Sequence, residues 1–269
     1  MIILFIRDYK IYSNTFIITF IMSLLPTTKT VIGSQDPKNM IIFGLPKVGK
    51  TTALAELPNN LIIDLENGSA FVSGYILKAE TYVDLYNIAK ELKNTEHQFK
   101  FVTIDTVSAL EEIALPLAKK LYMDTPMGAN YTGDNVLKLP QGAGHAYLRE
   151  AIQKIIGWFQ ASVENVILVG HTKDKSISEG GTELNVKALD LAGKTSNILS
   201  AKSDAICYLY RDPENGNLMA NFGDMNSVLT GARMPHLAGK TILLAERIQT
   251  EDNNWQIKTY WENIFPSLK

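Results

Sequence analysis

The sequence predicts an α/β protein: a mostly parallel central sheet with helices on both faces and a β-hairpin near the C-terminus. Three observations carry this. Short, wholly apolar runs alternate with segments of helical periodicity. Each main run is closed by a glycine or a polar residue. The last two runs, TILLAERI and WQIKTYW, flank the polar turn TEDNN, the pattern of a hairpin.

The elements follow in order. Met40 to Phe43 is a buried strand ending in glycine, and a Gly/Pro/Lys turn leads to a helix from about Lys50 to Leu57, stopped by Pro58. Leu61 to Ile63 is a second buried strand. Tyr82 to Leu92 places Val83, Leu85, Ile88, Ala89 and Leu92 near helical spacing. Phe101 to Ile104 is a third strand, closed by Asp105, and Ser108 to Met123 is a helix with a bend expected at Pro116. Residues 123 to 144 are rich in glycine and proline, a long loop of the kind that is usually functional or mobile. The helix HAYLREAIQKIIGWFQ follows, then a fourth strand from Val166 to Gly170, ending at His171. A second polar loop is expected over roughly 172 to 194, before a strand from Ala205 to Tyr210.

Composition sets bounds. The chain has 269 residues, 46% of them hydrophobic, enough for a full core in one domain. Its net charge of -2 gives no global basic field, so any nucleic-acid contact must come from local basic loops. The one cysteine, Cys207, lies in the apolar run AICYLY and reads as a small core residue. It forms no internal disulfide, no Cys/His spacing suggests zinc, and a reducing cytoplasm fits. Residues 1 to 21 are rich in Ile and Phe but interrupted by Arg7, Asp8 and Lys10. Their apolar stretch is too short to span a bilayer, which needs about 20 residues. They are expected to be an extension outside the working domain, which then covers residues 22 to 269.

The turn after the first strand, GLPKVGKT, matches G-x-x-x-x-G-K-[ST] without departure. Its glycines let successive N–H groups point at phosphate oxygens. The expected nucleotide contacts are Gly44, Leu45, Pro46, Lys47, Val48, Gly49, Lys50, Thr51 and Thr52. Lys50 reaches the β- and γ-phosphates, and the Thr51 hydroxyl ligates Mg²⁺. Lys47 reads either as a solvated loop lysine or as a further phosphate contact. FVTID supplies an acid for the Mg²⁺ water shell at Asp105, with Thr106 as the cap of the next helix. LIIDLENG brings two carboxylates to a strand end. If the first three strands lie side by side, their ends converge on the γ-phosphate, and Glu66 is placed to polarise the attacking water. Asp64 reads either as an orienting group or as a turn cap. His171, at the tip of the fourth strand, reads as a γ-phosphate sensor or as a packed side chain.

Together these motifs resemble the RecA-like P-loop ATPases, and more closely the small RecA-like ATP-binding proteins of phages linked to single-strand DNA annealing and recombination. GLPKVGKT looks like the family's Walker A. LIIDLENG is similar to its strand ending in D-x-E, which implies Glu66 as catalytic base. FVTIDTVSAL looks like its Walker B run, which implies Asp105. Residues 123 to 144 followed by GHAYLREAI look like the first DNA-binding loop and its helix. ILVGHTKD, the polar loop and LAGKTSNILSAKSDAICYLYRD resemble the sensor strand, the second DNA-binding loop and the elements after it. The resemblance spans about residues 38 to 247. It implies ATP and Mg²⁺ as cofactors and single-stranded DNA held by loops near 123–144 and 172–194, through Tyr131, Lys138, Lys173, Lys175, Lys187 and Lys194. It implies a homo-oligomer in which Arg233 or Lys240 reaches a neighbour's ATP, a single-strand-binding protein as a further partner, and no membrane. A phage protein would work in the host cytoplasm. One departure stands out: the recombinases carry glutamine where this chain has His171. The rival reading is a nucleotide-gated switch whose loops bind a protein; a third is a hexameric helicase-type motor.

Overall fold

The computed structural model describes residues 28–29, 35–179, 182–191, 194–223, 225, 227–249 and 255–269. Contacts divide the chain into residues 1–34 and residues 35–269, and the elements described below all belong to the second unit. The expectation about residues 1 to 21 lies outside the described residues.

Six parallel strands form a contiguous block of the sheet that ends at the β3 edge: β1 (Asn39–Gly44), β2 (Asn60–Asp64), β3 (Tyr75–Lys78), β4 (Phe101–Asp105), β5 (Asn165–Gly170) and, after a separate β6–β7 ribbon, β8 (Ala205–Arg211). The ribbon is β6 (Thr172–Glu179) paired antiparallel with β7 (Thr182–Leu189). Beyond β8 the sheet turns antiparallel through β9 (Leu218–Asn221), β11 (Thr241–Gln249) and β12 (Trp255–Thr259). The short β10 (Gly231–Ala232) pairs with β8. The order is β12-β11-β9-β8-β1-β5-β4-β2-β3.

Both faces of the central strands are buried, because successive side chains alternate sides. Ile41 and Phe43 of β1 point into one core, with Ile63, Val102, Ile104, Val166 and Leu168. That core is closed by α2 (Tyr82–Asn94), α3 (Val107–Met123), α4 (Ala143–Gln160) and α5 (Thr195–Lys202), through residues such as Leu85, Leu110, Ile152, Phe159 and Leu199. Met40 and Ile42 point the other way. There they meet α1 (Lys50–Ala55) and the C-terminal Trp261, Ile264 and Phe265, and the Trp261 indole donates to the Ala53 carbonyl at 2.9 Å.

Three expectations change. β1 does not lie beside β4: β5 intervenes, pairing with β1 on one side and β4 on the other. Periodicity identifies a buried strand but carries no information about its neighbours, and β5 returns into the gap only after α3 and α4. The stretch 172–194 is a two-stranded ribbon over most of its length, not a loop, since the backbone groups of β6 and β7 satisfy each other in an eight-residue register. The helix expected over 108–123 forms as α3, with Pro116 inside it. β3, β9 and β10 went unanticipated; β3 and β10 carry no buried alternation, with β3 exposed at three of its four positions. The hairpin pairs as expected, β11 with β12, with its tip outside the described residues.

Candidate active site

The carboxyl ends of β1, β4, β2 and β5 open on one edge of the sheet. At β1 the chain turns through Leu45, Pro46 and Lys47, all exposed, with Lys47 in the left-handed region at φ 63°. Gly49 has φ 110°, and a Cβ there would also meet the Arg211 guanidinium at 2.8 Å. The backbone conformation is what favours glycine here. The turn folds over Lys50, whose ammonium donates to the Gly44 and Leu45 carbonyls at 3.0 Å each. Burial lowers the Lys50 pKa; Asp105 and Glu66 act against that shift. A cation withheld from water and bonded only to two carbonyls is ready for an anion in the cradle.

Thr51 and Asp105 meet as the motifs require: the Thr51 hydroxyl donates to the Asp105 carboxylate at 2.6 Å. Burial raises the Asp105 pKa; the Thr51 bond and the Lys50 charge oppose it, and Glu66 and Asp64 reinforce it. One hydroxyl and one carboxylate fit Mg²⁺, which takes few protein oxygens and completes its shell with phosphates and water. Among the described residues no group of three or more His, Cys, Asp or Glu could hold a metal ion, so a protein-only metal cage is not what this edge offers.

Asp64 and Glu66 separate cleanly. Asp64 is buried and accepts from the backbone N–H of Glu66, Gly68 and Ser69 at 3.0, 3.3 and 3.0 Å, and from the Ser69 hydroxyl at 2.5 Å. Burial alone would raise its pKa, but these bonds outweigh it and hold the carboxyl below its usual value. Of its two readings, the turn cap is what the bonds describe. Glu66 stands past the strand tip, its side chain 39% exposed. Thr106, which caps α3, donates to one of its oxygens, and His171 Nε2 lies 3.4 Å from the other. The other ring nitrogen of His171 is buried without a partner, as is the Thr172 hydroxyl. Because β5 adjoins β4, His171 comes to Glu66 itself.

Other expected residues stand elsewhere. Arg233 lies at the amino ends of the parallel strands, donating to Asp204 at 3.3 Å and to the Ala201 carbonyl at 2.8 Å. Lys240 precedes β11 at that same edge and is exposed. Neither reaches its own chain's phosphate loop. The Tyr131 ring packs against Tyr122 at 5.3 Å, and its hydroxyl donates to the Asn135 carbonyl at 2.8 Å; Lys138 is exposed. On the ribbon Lys173 pairs with Asp190 at 3.4 Å and Lys187 with Asp174 at 3.5 Å, while Lys175 donates to Asn197 at 3.5 Å. Lys194 is exposed. Sequence reading missed the Thr106 contact with Glu66 and Arg211 beside the loop. The first was legible in part as a hydroxyl following the β4 acid; the second had no local signal, since Arg211 is distant in sequence from Gly49.

A phosphate loop after β1, one strand inserted between β1 and the acid-bearing β4, and a glutamate on the next strand out define a RecA-like P-loop ATPase. The family described as an AAA domain matches residues 36–243, and the chain belongs to that family. No curated protein matches. Among solved structures, one described as "Crystal structure of the RadB recombinase" is similar at a TM-score of 0.41 and 16% identity, over 84% of this chain and 92% of that one. Among the described residues no helix is long and apolar enough to cross a membrane.

Proposed function

We propose that this protein binds ATP, hydrolyses it with Mg²⁺, and uses the cycle to act on single-stranded DNA in recombination or strand annealing. The observation that carries the hydrolytic reading is the convergence of Lys50, the Thr51–Asp105 pair and a solvent-facing Glu66 on one edge of the sheet. Gly44 to Thr52 cradle the phosphates, with backbone N–H groups as donors. Lys50 exchanges its carbonyl bonds for the β- and γ-phosphates. Thr51 and Asp105 hold Mg²⁺, which when bound neutralises charge on the phosphate oxygens. Glu66 accepts the proton of the attacking water, and Thr106 and His171 fix its carboxylate.

The DNA reading rests on the order of the motifs and on the ribbon attached to His171. The ribbon begins at the very next residue, and Asp190, which follows its second strand at the same base, donates its N–H to the His171 carbonyl at 2.9 Å. A change at the phosphate edge would therefore reach the base of both ribbon strands. The ribbon and residues 123–144 are proposed to hold the strand, through phosphate contacts that are salt-sensitive and independent of sequence. Arg233 or Lys240, facing away from their own nucleotide, would act on that of a neighbouring copy. The cytoplasm, of a host if the protein is phage-encoded, is the matching compartment, and a single-strand-binding protein is a matching partner.

A second reading, a nucleotide-gated switch that binds a protein, is favoured by the ribbon lysines, three of which already have partners within the chain. Single-stranded DNA binding measured against salt, with and without ATP, separates the two. Binding that strengthens as salt falls supports DNA; no binding at low salt discards it. For the hydrolytic step, Glu66→Gln is expected to keep ATP affinity and lose about a hundredfold or more in turnover. Turnover equal to the parent's would remove Glu66 as the base.

A further inference from the structure

Lys50, Asp105 and Glu66 gather on one flank of the phosphate loop. The opposite flank faces β8, β9 and β11 and has received no role. Arg211 is the last residue of β8; its cross-strand neighbour is Leu218, and that of Leu218 is Ala245. Leu209, Leu218 and Ala245 pack into the core that covers α1, so alternation puts Arg211 on that face, and Arg247, two residues beyond Ala245, on it too. Arg247 is paired across the hairpin with Ile257, which packs against the same core. The two arginines border one small cleft with Gly49, Thr52 and Ile257. Glu246 also borders it, and its carboxylate takes the Tyr260 hydroxyl.

Two guanidinium groups close together are costly without an anion between them. Partial burial lowers the Arg211 pKa, and the Arg247 charge lowers it further. Among the described residues no carboxylate forms an ion pair with either. Arg211 spends two of its donors on the Val48 carbonyl, at 3.0 Å, and the Gly216 carbonyl, at 3.0 Å. That fixes it against the loop with further N–H groups to spare. A nucleotide whose γ end sits by Asp105 and Glu66 must leave the loop on the other flank, past Thr52.

Resting on the ATP-binding reading above, we propose that Arg211 and Arg247 form a second cationic subsite that takes the α-phosphate of the bound nucleotide. Arg211 positions the loop through Val48 and offers its remaining donors, and Arg247 closes over the phosphate from the hairpin. Guanidinium donors to phosphate are charge-assisted and directional. The subsite makes the β11–β12 hairpin part of the nucleotide site.

Calorimetric titration of the full chain with MgADP, and with MgATP in a Glu66→Gln background, tests this. Arg247 is exposed, so Arg247→Gln leaves the core intact. It is expected to weaken ADP and ATP by the same factor, about tenfold, because both carry the α-phosphate. Arg247→Lys, which keeps the charge, recovers part of the loss. Unchanged ADP affinity in Arg247→Gln overturns the proposal, as does a loss confined to ATP, which would place the arginine at the γ end. Loss of single-stranded DNA binding with ADP affinity intact overturns it in favour of nucleic acid. Lys50→Ala keeps the two ideas apart. If it abolishes binding while Arg247→Gln does not, the phosphate loop stands and the subsite falls; if it changes nothing, the ATP reading itself fails.

Discussion

The fold disfavours the charged forms of Asp105 and Lys50. Burial raises the pKa of the acid and lowers that of the base, so in each the charged form is disfavoured relative to the unfolded chain. For Asp105 the sign follows from linkage. Its folded pKa lies above the ordinary 3.8, so the unfolded chain gives up its proton first as pH rises, and stability falls through that window. Asp105→Asn is therefore expected to melt higher than the parent at pH 7 without nucleotide, to lose that advantage below about pH 4, and to lose Mg²⁺-dependent hydrolysis. Melting curves at the two pH values check it; a variant less stable at pH 7 would contradict the reading. Asp64 has the opposite sign: its folded pKa is depressed, so its contribution is present above pH 3.8 and lost as pH falls through its folded value.

Among the elements, the segment 123–144 departs most from its composition. Glycines and prolines suggested a mobile loop, yet it forms two 3-10 turns, Val136–Lys138 and Pro140–Gly142, and buries Val136 to 1% exposure. Gly144, on the first turn of α4, lies so close that a Cβ there would meet the Val136 carbonyl oxygen at 1.9 Å. Composition reports how easily a backbone bends, not whether one of its side chains finds a pocket. Val136→Ala is expected to cost about 2 kcal/mol and to expose this segment to limited proteolysis. Equal cleavage rates in parent and variant would show that Val136 is not its anchor. The ribbon gives a parallel lesson. Its lysines suggested a basic loop, but antiparallel pairing sets Lys187 beside Asp174, and the fold carries Lys173 to Asp190.

For the molecule as a whole, this edge holds charges that oppose each other only in part, Lys50 against Asp105 and Glu66, and a bound nucleotide is expected to stabilise the native state there. A nucleotide that binds only the native state adds about 2.7 kcal/mol at a hundred times its Kd. For a chain of this size that corresponds to a rise in Tm of roughly 5 °C or more. MgATP is expected to produce that rise in the parent and none in Lys50→Ala. An equal rise in both would place binding away from the loop. The shift should be larger for Glu66→Gln than for the parent under turnover conditions, because ATP is then not consumed during the scan.

The sequence by itself determined the α/β class, the P-loop motif of Gly44 to Thr51, the acid closing β4 at Asp105, and Glu66 rather than Asp64 as the acid proposed to face a bound nucleotide. These are local: a turn that needs glycine, a strand that needs apolar residues, an acid one step past its end. Tertiary structure alone decided that β5 separates β1 from β4, which brings His171 to Glu66 rather than leaving it free, and that Arg211 and Arg247 meet beside Gly49. The physical reason is common to both. Periodicity records which face of a strand is buried, whereas strand order and cross-strand neighbours depend on how distant segments pack, and that is not written in any single stretch of the chain.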